Sequence, residues 1–277
     1  MPWHAHLQLD YTHDRRGTVA LDRHEGPLRV LQRLYPEGPG ICHHVLVHPP
    51  GGIVGGDLLE VDARLGPHCH ALITTPGATR FYRSAGEVAT QQVRATLDDG
   101  ARLEWLPLET IAYAGCDAHN ALRFELAPGA EMIGWDILAL GLPAAGQGFD
   151  HGSVLQQVSL PGAWLERGRV DAADKRLLDS PLGWDGQRVL ATLWFAAGAA
   201  LAAARRDALL DGARERFAAH TARVRHAGVT AVHERVLVLR ALSARVEPAM
   251  ALLADVRAAW RAQAWGLDAN PPRVWRT

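Results

Sequence analysis

The chain of 277 residues has few cysteines, one lysine and almost no excess of either charge. Its three cysteines, Cys42, Cys69 and Cys116, are an odd number and too sparse for a disulfide scaffold, which indicates a reducing compartment. The 29 basic and 30 acidic side chains nearly cancel, which argues against the basic surface of a nucleic-acid-binding protein. Because Lys175 is the single lysine, the cationic surface is almost entirely arginine, which suits pairing with carboxylates.

The chain also lacks segments that would direct it to a membrane. Its N-terminus, MPWHAHLQLDYTHDRR, has no apolar core behind a positive start and does not read as a signal peptide. The most apolar stretch, residues 191–204, is shorter than the ~20 residues that a membrane-spanning helix needs. We therefore expect a soluble cytoplasmic protein that binds neither nucleic acid nor a membrane.

Short runs of alternating apolar and polar residues fill most of the first 195 residues, and this period of two is typical of half-buried β-strands. The predicted strands are residues 3–10, 28–34, 43–48, 58–65, 70–75, 91–97, 102–105, 121–126, 131–140, 152–160 and 189–195. Turns rich in glycine and proline separate them, several at a spacing of about ten residues, which is the rhythm of an all-β domain.

The pattern changes after about residue 200. Residues 205–224 place Leu209, Ala213 and Phe217 on one stripe and predict an amphipathic helix. Residues 229–242 return to alternation and predict one strand, and residues 248–266 predict a second helix that ends at Gly266.

The predicted fold class is therefore mainly β, a single large domain of many short strands with two α-helices near the C-terminus. The domain spans residues 1–277, with a β-rich part over 1–200 and a helix–strand–helix part over 201–277. We find no linker and no internal repeat in the sequence.

Three segments stand out. HPPGGIVGGD (48–57) is rich in glycine and proline, but it lacks the Gly-Lys-Ser/Thr of a phosphate-binding loop, and Asp57 would repel phosphate. It predicts a tight corner between strands. TTPGATRFYRS (74–84) combines a turn with two arginines and a tyrosine, and LEWLPLETI (103–111) predicts a buried strand that ends at Pro107.

Catalytic and metal-binding patterns are weak. His4 and His6, and likewise His68 and His70, have the spacing of residues on one face of a strand, but no CxxC or HExxH sequence occurs. Ser153 does not lie in a GxSxG elbow. A β-rich metal-dependent hydrolase, which needs three ligands converging around an open position, remains an alternative. So does a plain binding domain without a metal role.

The three segments, in this order and spacing, resemble the urease accessory protein D family (UreD, also called UreH). The similarity extends to residues 28–50, to GWDILALG (134–141), to residues 234–261 and to the terminal PPRVWRT (271–277). It covers most of the chain.

This resemblance implies a non-enzymatic scaffold, or chaperone, for the maturation of urease. It implies binding to the helical accessory protein UreF, through it to the GTPase UreG, and docking on the urease apoprotein, into which nickel is inserted. The chain has no Walker A sequence, so GTP hydrolysis has to come from the partner. No cofactor is expected to bind tightly, and Ni²⁺ is expected as a transient cargo.

Nickel in transit must be held loosely, and carboxylates and water hold late first-row divalent ions less tightly than cysteine and histidine clusters do. The predicted nickel-transit residues are Asp57, Glu37, Glu109 and Glu166, with Asp57 first because it ends the glycine loop. Each of them can instead cap a turn or pair with an arginine.

Partner contacts are predicted for Arg80, Tyr82 and Arg83 in the second segment and for Trp260 in the last helix. Arginine, tyrosine and tryptophan are frequent anchors of protein interfaces. The arginines can instead pin their own loop, and Trp260 can instead belong to the core.

Overall fold

Strands follow one another along most of the chain, and the structure, a computed structural model, describes residues 2–276. In chain order the strands are β1 (His4–Asp14), β2 (Gly17–Glu25), β3 (Arg29–Leu34), β4 (Ile41–Val47), β5 (Leu58–Leu65), β6 (His70–Thr74), β7 (Thr79–Phe81), β8 (Ala89–Leu97), β9 (Arg102–Leu106), β10 (Thr110–Ala112), β11 (Asp117–Leu126), β12 (Glu131–Leu140), β13 (Ser153–Leu160), β14 (Trp164–Asp171), β15 (Val189–Ala197), β16 (His226–His233) and β17 (Val236–Ser243). The α-helices are α1 (Lys175–Asp179), α2 (Ala203–Phe217) and α3 (Val246–Trp265). The mainly β fold class is confirmed, and α1 is an additional short helix.

The strands form two sheets, and the chain passes from one sheet to the other in successive turns. The first sheet has the order β14-β13-β11-β8-β5-β1-β2, and the second has the order β16-β17-β15-β12-β9-β6-β4-β3 with β10 and β7 beside it. The central strands of both sheets are parallel. His70 pairs with Arg102 and Arg102 pairs with Glu131, so each turn advances the chain by about 30 residues, as in a β-solenoid. This repeat cannot be recognised in the sequence, because successive turns of the solenoid share an alternation of inward and outward side chains but not particular residues.

Two layers of core result from this arrangement. Alternate side chains of β12, such as Met132 and Leu138, pack between the two sheets. Their neighbours, such as Ile133 and Trp135, pack beneath α3 on the outer face of the second sheet. Because β12 is covered on both faces, its sequence is a nearly continuous apolar run.

Every strand predicted within the first 195 residues is confirmed. Four strands were missed. The strands β7 and β10 are only three residues long, and β2 and β14 are antiparallel hairpin strands at the edges of the first sheet. Most side chains of β2 and β14 are exposed, so these two do not show the apolar alternation of a strand that is buried on one face.

The prediction of one strand over residues 229–242 was wrong. This stretch spans parts of β16 and β17, an antiparallel pair joined at Glu234 and Arg235. A tight hairpin turn leaves the alternation intact on both sides, so the two strands looked like one. The C-terminal part is therefore helix–hairpin–helix.

Both predicted C-terminal helices are confirmed. Gly266 follows α3 with φ +64°, a left-handed conformation that glycine adopts without strain, and its amide donates to the carbonyl of Ala262. The helix predicted over 205–224 ends earlier, at Phe217. Within residues 2–276, no helix combines the length and the apolar character needed to cross a lipid bilayer.

Candidate functional site

The three segments that stood out in the sequence meet at one corner of the solenoid. Ile53 of the glycine loop forms a parallel bridge with Phe81, its amide donates to the carbonyl of Arg80 at 2.7 Å, and β7 pairs in turn with β10. We call this region, residues 48–57, 74–84 and 107–112, the loop corner. It encloses one side of a cavity of about 320 Å³ between the two sheets.

Asp57 closes the glycine loop from inside. Its side chain is buried, and Oδ1 accepts the amide of Trp3 at 2.8 Å while Oδ2 accepts the amide of Val54 at 3.0 Å. Gly52 lies against Tyr82, where a Cβ would come within 2.1 Å of the tyrosine ring, so only glycine fits this approach. By accepting the amides of Trp3 and Val54, the carboxylate of Asp57 holds the shape of the loop.

Glu37 belongs to a buried ionic cluster, not to the loop corner. It accepts from Nη2 of Arg261 at 2.6 and 2.7 Å and bonds Nε2 of His43 at 2.8 Å. Burial alone would raise the pKa of Glu37, but these hydrogen bonds hold it below its ordinary value. Glu104, fully buried in β9, joins the same cluster and accepts from Nε of Arg261 at 2.9 Å.

The remaining predicted carboxylates lie elsewhere. Glu166 of β14 pairs with Arg240 of β17 and so bridges the two sheets. Glu109 is half-buried in the loop corner and has no ion pair within the described residues. No three His, Cys, Asp or Glu side chains of residues 2–276 are placed to hold a metal ion together. The four carboxylates are thus not brought together, and their role in nickel transit stays a prediction.

The predicted partner residues differ in exposure. Arg80 and Arg83 are exposed, and neither forms a salt bridge in the part of the chain that the structure describes. Tyr82 is half-buried against the ring of Tyr113, with 4.9 Å between the ring centroids. Trp260, by contrast, is wholly buried and donates its indole N–H to the carbonyl of Leu209 in α2 at 2.8 Å. The expectation that Trp260 contacts a partner is corrected, because it fills the core between the helices and the sheet.

A row of amide side chains inside the solenoid was missed by sequence reasoning. Gln91, Asn120 and Gln156 lie directly opposite one another on the neighbouring strands β8, β11 and β13. We call these three residues the amide ladder. Nε2 of Gln91 donates to Oδ1 of Asn120 at 3.1 Å, and Gln91 also lines the cavity behind the loop corner.

Asp136 of the second sheet faces the amide ladder across the interior. Its Oδ1 accepts from Nδ2 of Asn120 at 3.1 Å, and its Oδ2 accepts from Nε2 of Gln156 at 2.6 Å. No arginine, lysine or histidine within residues 2–276 forms a salt bridge with it. Burial raises the pKa of Asp136 to about 6, against the lowering effect of the two amides, and the negative charge of Glu166 adds to the rise.

This arrangement gives a carboxylate with unused lone pairs in a shielded polar row. A carboxylate offers about four acceptor sites, and the two amides occupy two of them. The signal in the sequence was Asp136 itself, the one charged residue within residues 132–140 of β12. Burying a carboxylate in a strand that is covered on both faces costs free energy unless the carboxylate is hydrogen-bonded, paired or protonated, so such a residue is a candidate for a functional role.

Comparison with known proteins agrees with the resemblance seen in the three segments. The family described as UreD urease accessory protein matches residues 4–276. The chain is 68% identical over 279 residues to the urease accessory protein UreD of Leptothrix cholodnii, covering 100% of both chains. It is 58% identical over 277 residues to the protein of that name from Variovorax paradoxus, again with 100% of both covered. The chain therefore belongs to the UreD urease accessory protein family, which ties it to the maturation of urease.

Proposed function

We propose that this chain is a cytoplasmic scaffold that passes Ni²⁺ to the urease apoprotein while bound to UreF and the GTPase UreG. In this role it breaks no covalent bond, and the GTP chemistry belongs to its partner. Family membership supports the link to urease maturation. The observation that supports a path for the cation through this chain is the carboxylate of Asp136 opposite the amide ladder.

The chemistry of Asp136 and the amide ladder suits a cation in passage. Carboxylate and amide oxygens are hard ligands that hold a divalent ion more loosely than thiolates or clustered imidazoles do. A hydrated Ni²⁺ that reaches Asp136 gains one negatively charged oxygen, which lowers the cost of leaving bulk water. Since the pKa of Asp136 is about 6, a proton competes with the cation for the same oxygens and favours release.

The polar row formed by Asp136 and the amide ladder has the cavity behind the loop corner at one end and Glu166 near the other. Gln91 lines the cavity behind the loop corner. At the other end the charge of Glu166 influences Asp136, and its ion pair with Arg240 spans the two sheets. We propose that the cation moves along this row and that Glu166 acts at its end.

The test is a set of variants in cells that lack the native protein. The wild-type chain, Asp136→Asn and Asp136→Ala are each co-expressed with the urease subunits, UreF and UreG in medium containing nickel. Glu125→Gln, an exposed carboxylate on β11 paired with Arg123, is the matched control. Urease activity, nickel bound per urease and recovery of the accessory complex by affinity purification are measured.

Both Asp136 variants are expected to lower the nickel content of urease to less than half while the complex is recovered intact. The control variant is expected to load nickel as the wild type does. Normal nickel loading by Asp136→Ala would remove Asp136 from the path. No observation favours the metal-dependent hydrolase, since residues 2–276 hold no group of three suitable ligands.

A further inference from the structure

The cavity behind the loop corner is walled mainly by apolar side chains. They come from both sheets and from both loops, namely Leu46, Ile53, Leu59, Val61, Ala78 and Val93. Its volume, about 320 Å³, is at the lower end of the range of sites that enclose a ligand group. An apolar cavity of this size between two loops offers space for one or two bulky side chains.

Two residues that line the cavity carry buried ring nitrogens without a hydrogen-bond partner in residues 2–276. They are Nε1 of Trp105 and Nε2 of His48. Trp105 is 4% exposed, so its indole N–H is a buried donor. Burial lowers the pKa of His48, which keeps this ring neutral. An unpaired buried donor destabilises the folded protein, and a bound acceptor would remove that cost.

The rim of the cavity carries the exposed guanidinium of Arg80. Arg80 lines the cavity, is exposed and has no salt bridge within the described residues. A guanidinium binds a carboxylate through two parallel hydrogen bonds. An acidic group is thus favoured at the mouth and an apolar group inside.

Apolar side chains are exposed around the same glycine loop. Trp3, Val54 and Val88 are 49%, 45% and 46% exposed. The carboxylate of Asp57 accepts hydrogen bonds from the amides of Trp3 and Val54. The amide of Gly56 donates to the carbonyl of Val88. A ligand confined to the cavity would leave these three side chains in water, whereas a polypeptide lying across the corner would cover them.

We infer that the loop corner is a socket for a segment of a partner protein that inserts a bulky apolar side chain into the cavity and places a neighbouring carboxylate at Arg80. This inference rests on the proposed scaffold role and names the chemistry of the segment that a partner presents. The apolar walls would not hold a metal ion, because they replace none of its hydration, and only Gln91 among the lining residues belongs to the proposed cation path. The socket and the polar row at Asp136 are adjacent but have separate tasks.

The probe is a set of synthetic peptides of 15 residues that tile the sequences of UreF, UreG and the urease subunits. Binding to the purified full chain is measured by fluorescence anisotropy, and the indole N–H resonance of Trp105, assigned with Trp105→Phe, reports on the cavity. Ala78→Trp fills the cavity from its half-buried rim, and Arg80→Glu reverses the charge at the mouth. Arg167→Glu reverses an exposed arginine on β14, on the other side of the first sheet, as the matched control.

We expect at least one peptide with a bulky apolar residue beside Asp or Glu to bind and to shift the Trp105 resonance. Its affinity should fall about tenfold or more in Ala78→Trp and in Arg80→Glu, as for loss of an anchor residue, and stay unchanged in Arg167→Glu. Absence of any binding peptide, or equal binding by the wild type and Ala78→Trp, would overturn the inference. Nickel loading by the Asp136 variants is a separate measurement, so failure of the socket and failure of the cation path are distinguishable.

Discussion

Glu104 in β9 and Arg257 in α3 lie 153 positions apart in the sequence and form a buried ion pair, with 2.8 Å between Nε of Arg257 and Oε2 of Glu104. Arg261, one helical turn later, donates to the other oxygen of Glu104, and Nε2 of His70 lies 3.1 Å from that oxygen. Burial would raise the pKa of Glu104, but Arg257, with His70 and Arg261, holds it far below the usual range. The pair fixes α3 on the middle of the second sheet.

Replacing Glu104 by glutamine should be strongly destabilising. The variant removes the negative charge that compensates two buried guanidiniums, and loss of one partner of a buried pair costs about 3–5 kcal/mol. Urea unfolding followed by circular dichroism measures this. Asp211→Asn, which breaks an exposed pair with Arg214 on α2, is the control and should cost less than about 1 kcal/mol. Equal unfolding midpoints for the two variants would contradict the assignment.

The buried pair of Glu104 and Arg257 makes the free energy of unfolding depend on pH. The pKa of Glu104 is lowered by folding, so its contribution to stability is present above about 4.5, the value in the unfolded chain, and declines as the pH falls below that value. Unfolding measured from pH 7 down to pH 3 should therefore show a steeper loss of stability for the wild type than for Glu104→Gln. Parallel curves would show that Glu104 does not carry this dependence.

The pKa of Asp136 shifts on folding in the opposite direction to that of Glu104. Its pKa rises from 3.8 to about 6 on folding, so the folded state binds the proton more strongly, and this carboxyl costs stability as the pH rises through that interval. The stability of Asp136→Asn relative to the wild type should increase by about 1–3 kcal/mol between pH 4 and pH 8. Unfolding curves of both proteins across this range measure the difference. A difference that does not change with pH would mean that the carboxyl titrates normally.

Asp57→Ala should loosen the glycine loop. It leaves the amides of Trp3 and Val54 without their acceptor, at a cost of about 1–3 kcal/mol, while Asp57→Asn keeps one oxygen and should cost less. Hydrogen exchange at these two amides reports the loss directly. The predicted role of Asp57 in nickel transit is separable, because Asp57→Asn should then lower nickel loading of urease although the loop and the accessory complex are intact. Normal nickel loading by Asp57→Asn would contradict that role.

Trp260→Ala should destabilise the protein by about 3–5 kcal/mol, because it leaves a large cavity between α3, α2 and the second sheet. Trp3→Ala, at a side chain that is 49% exposed, is the control and should change stability by less than about 0.5 kcal/mol. Thermal unfolding measures both. A Trp260→Ala protein of normal stability that fails to bind partners would restore the interface role.

The sequence predicted many elements because their causes are local. The strands predicted over residues 58–65 and 131–140 match β5 and β12 in their observed bounds, and Gly266 marks the end of α3 as predicted. The glycine loop predicts a tight corner, and together with two other segments it indicates the family that the comparison shows. The hairpin of β16 and β17 was predicted as one strand, because alternation on both sides of a tight turn looks like a single strand. The strands β2 and β14 were missed because most of their side chains are exposed and show no apolar alternation.

By itself, the sequence determined most of the strands, which side of each of these strands is apolar, and the family to which the chain belongs. Only the tertiary structure decided that Gln91, Asn120 and Gln156 lie side by side opposite Asp136, and that Glu104 meets Arg257. The physical reason is that the period of a strand is set by neighbouring residues. The register between successive turns of the solenoid depends instead on the shape of every intervening loop and on packing between distant segments.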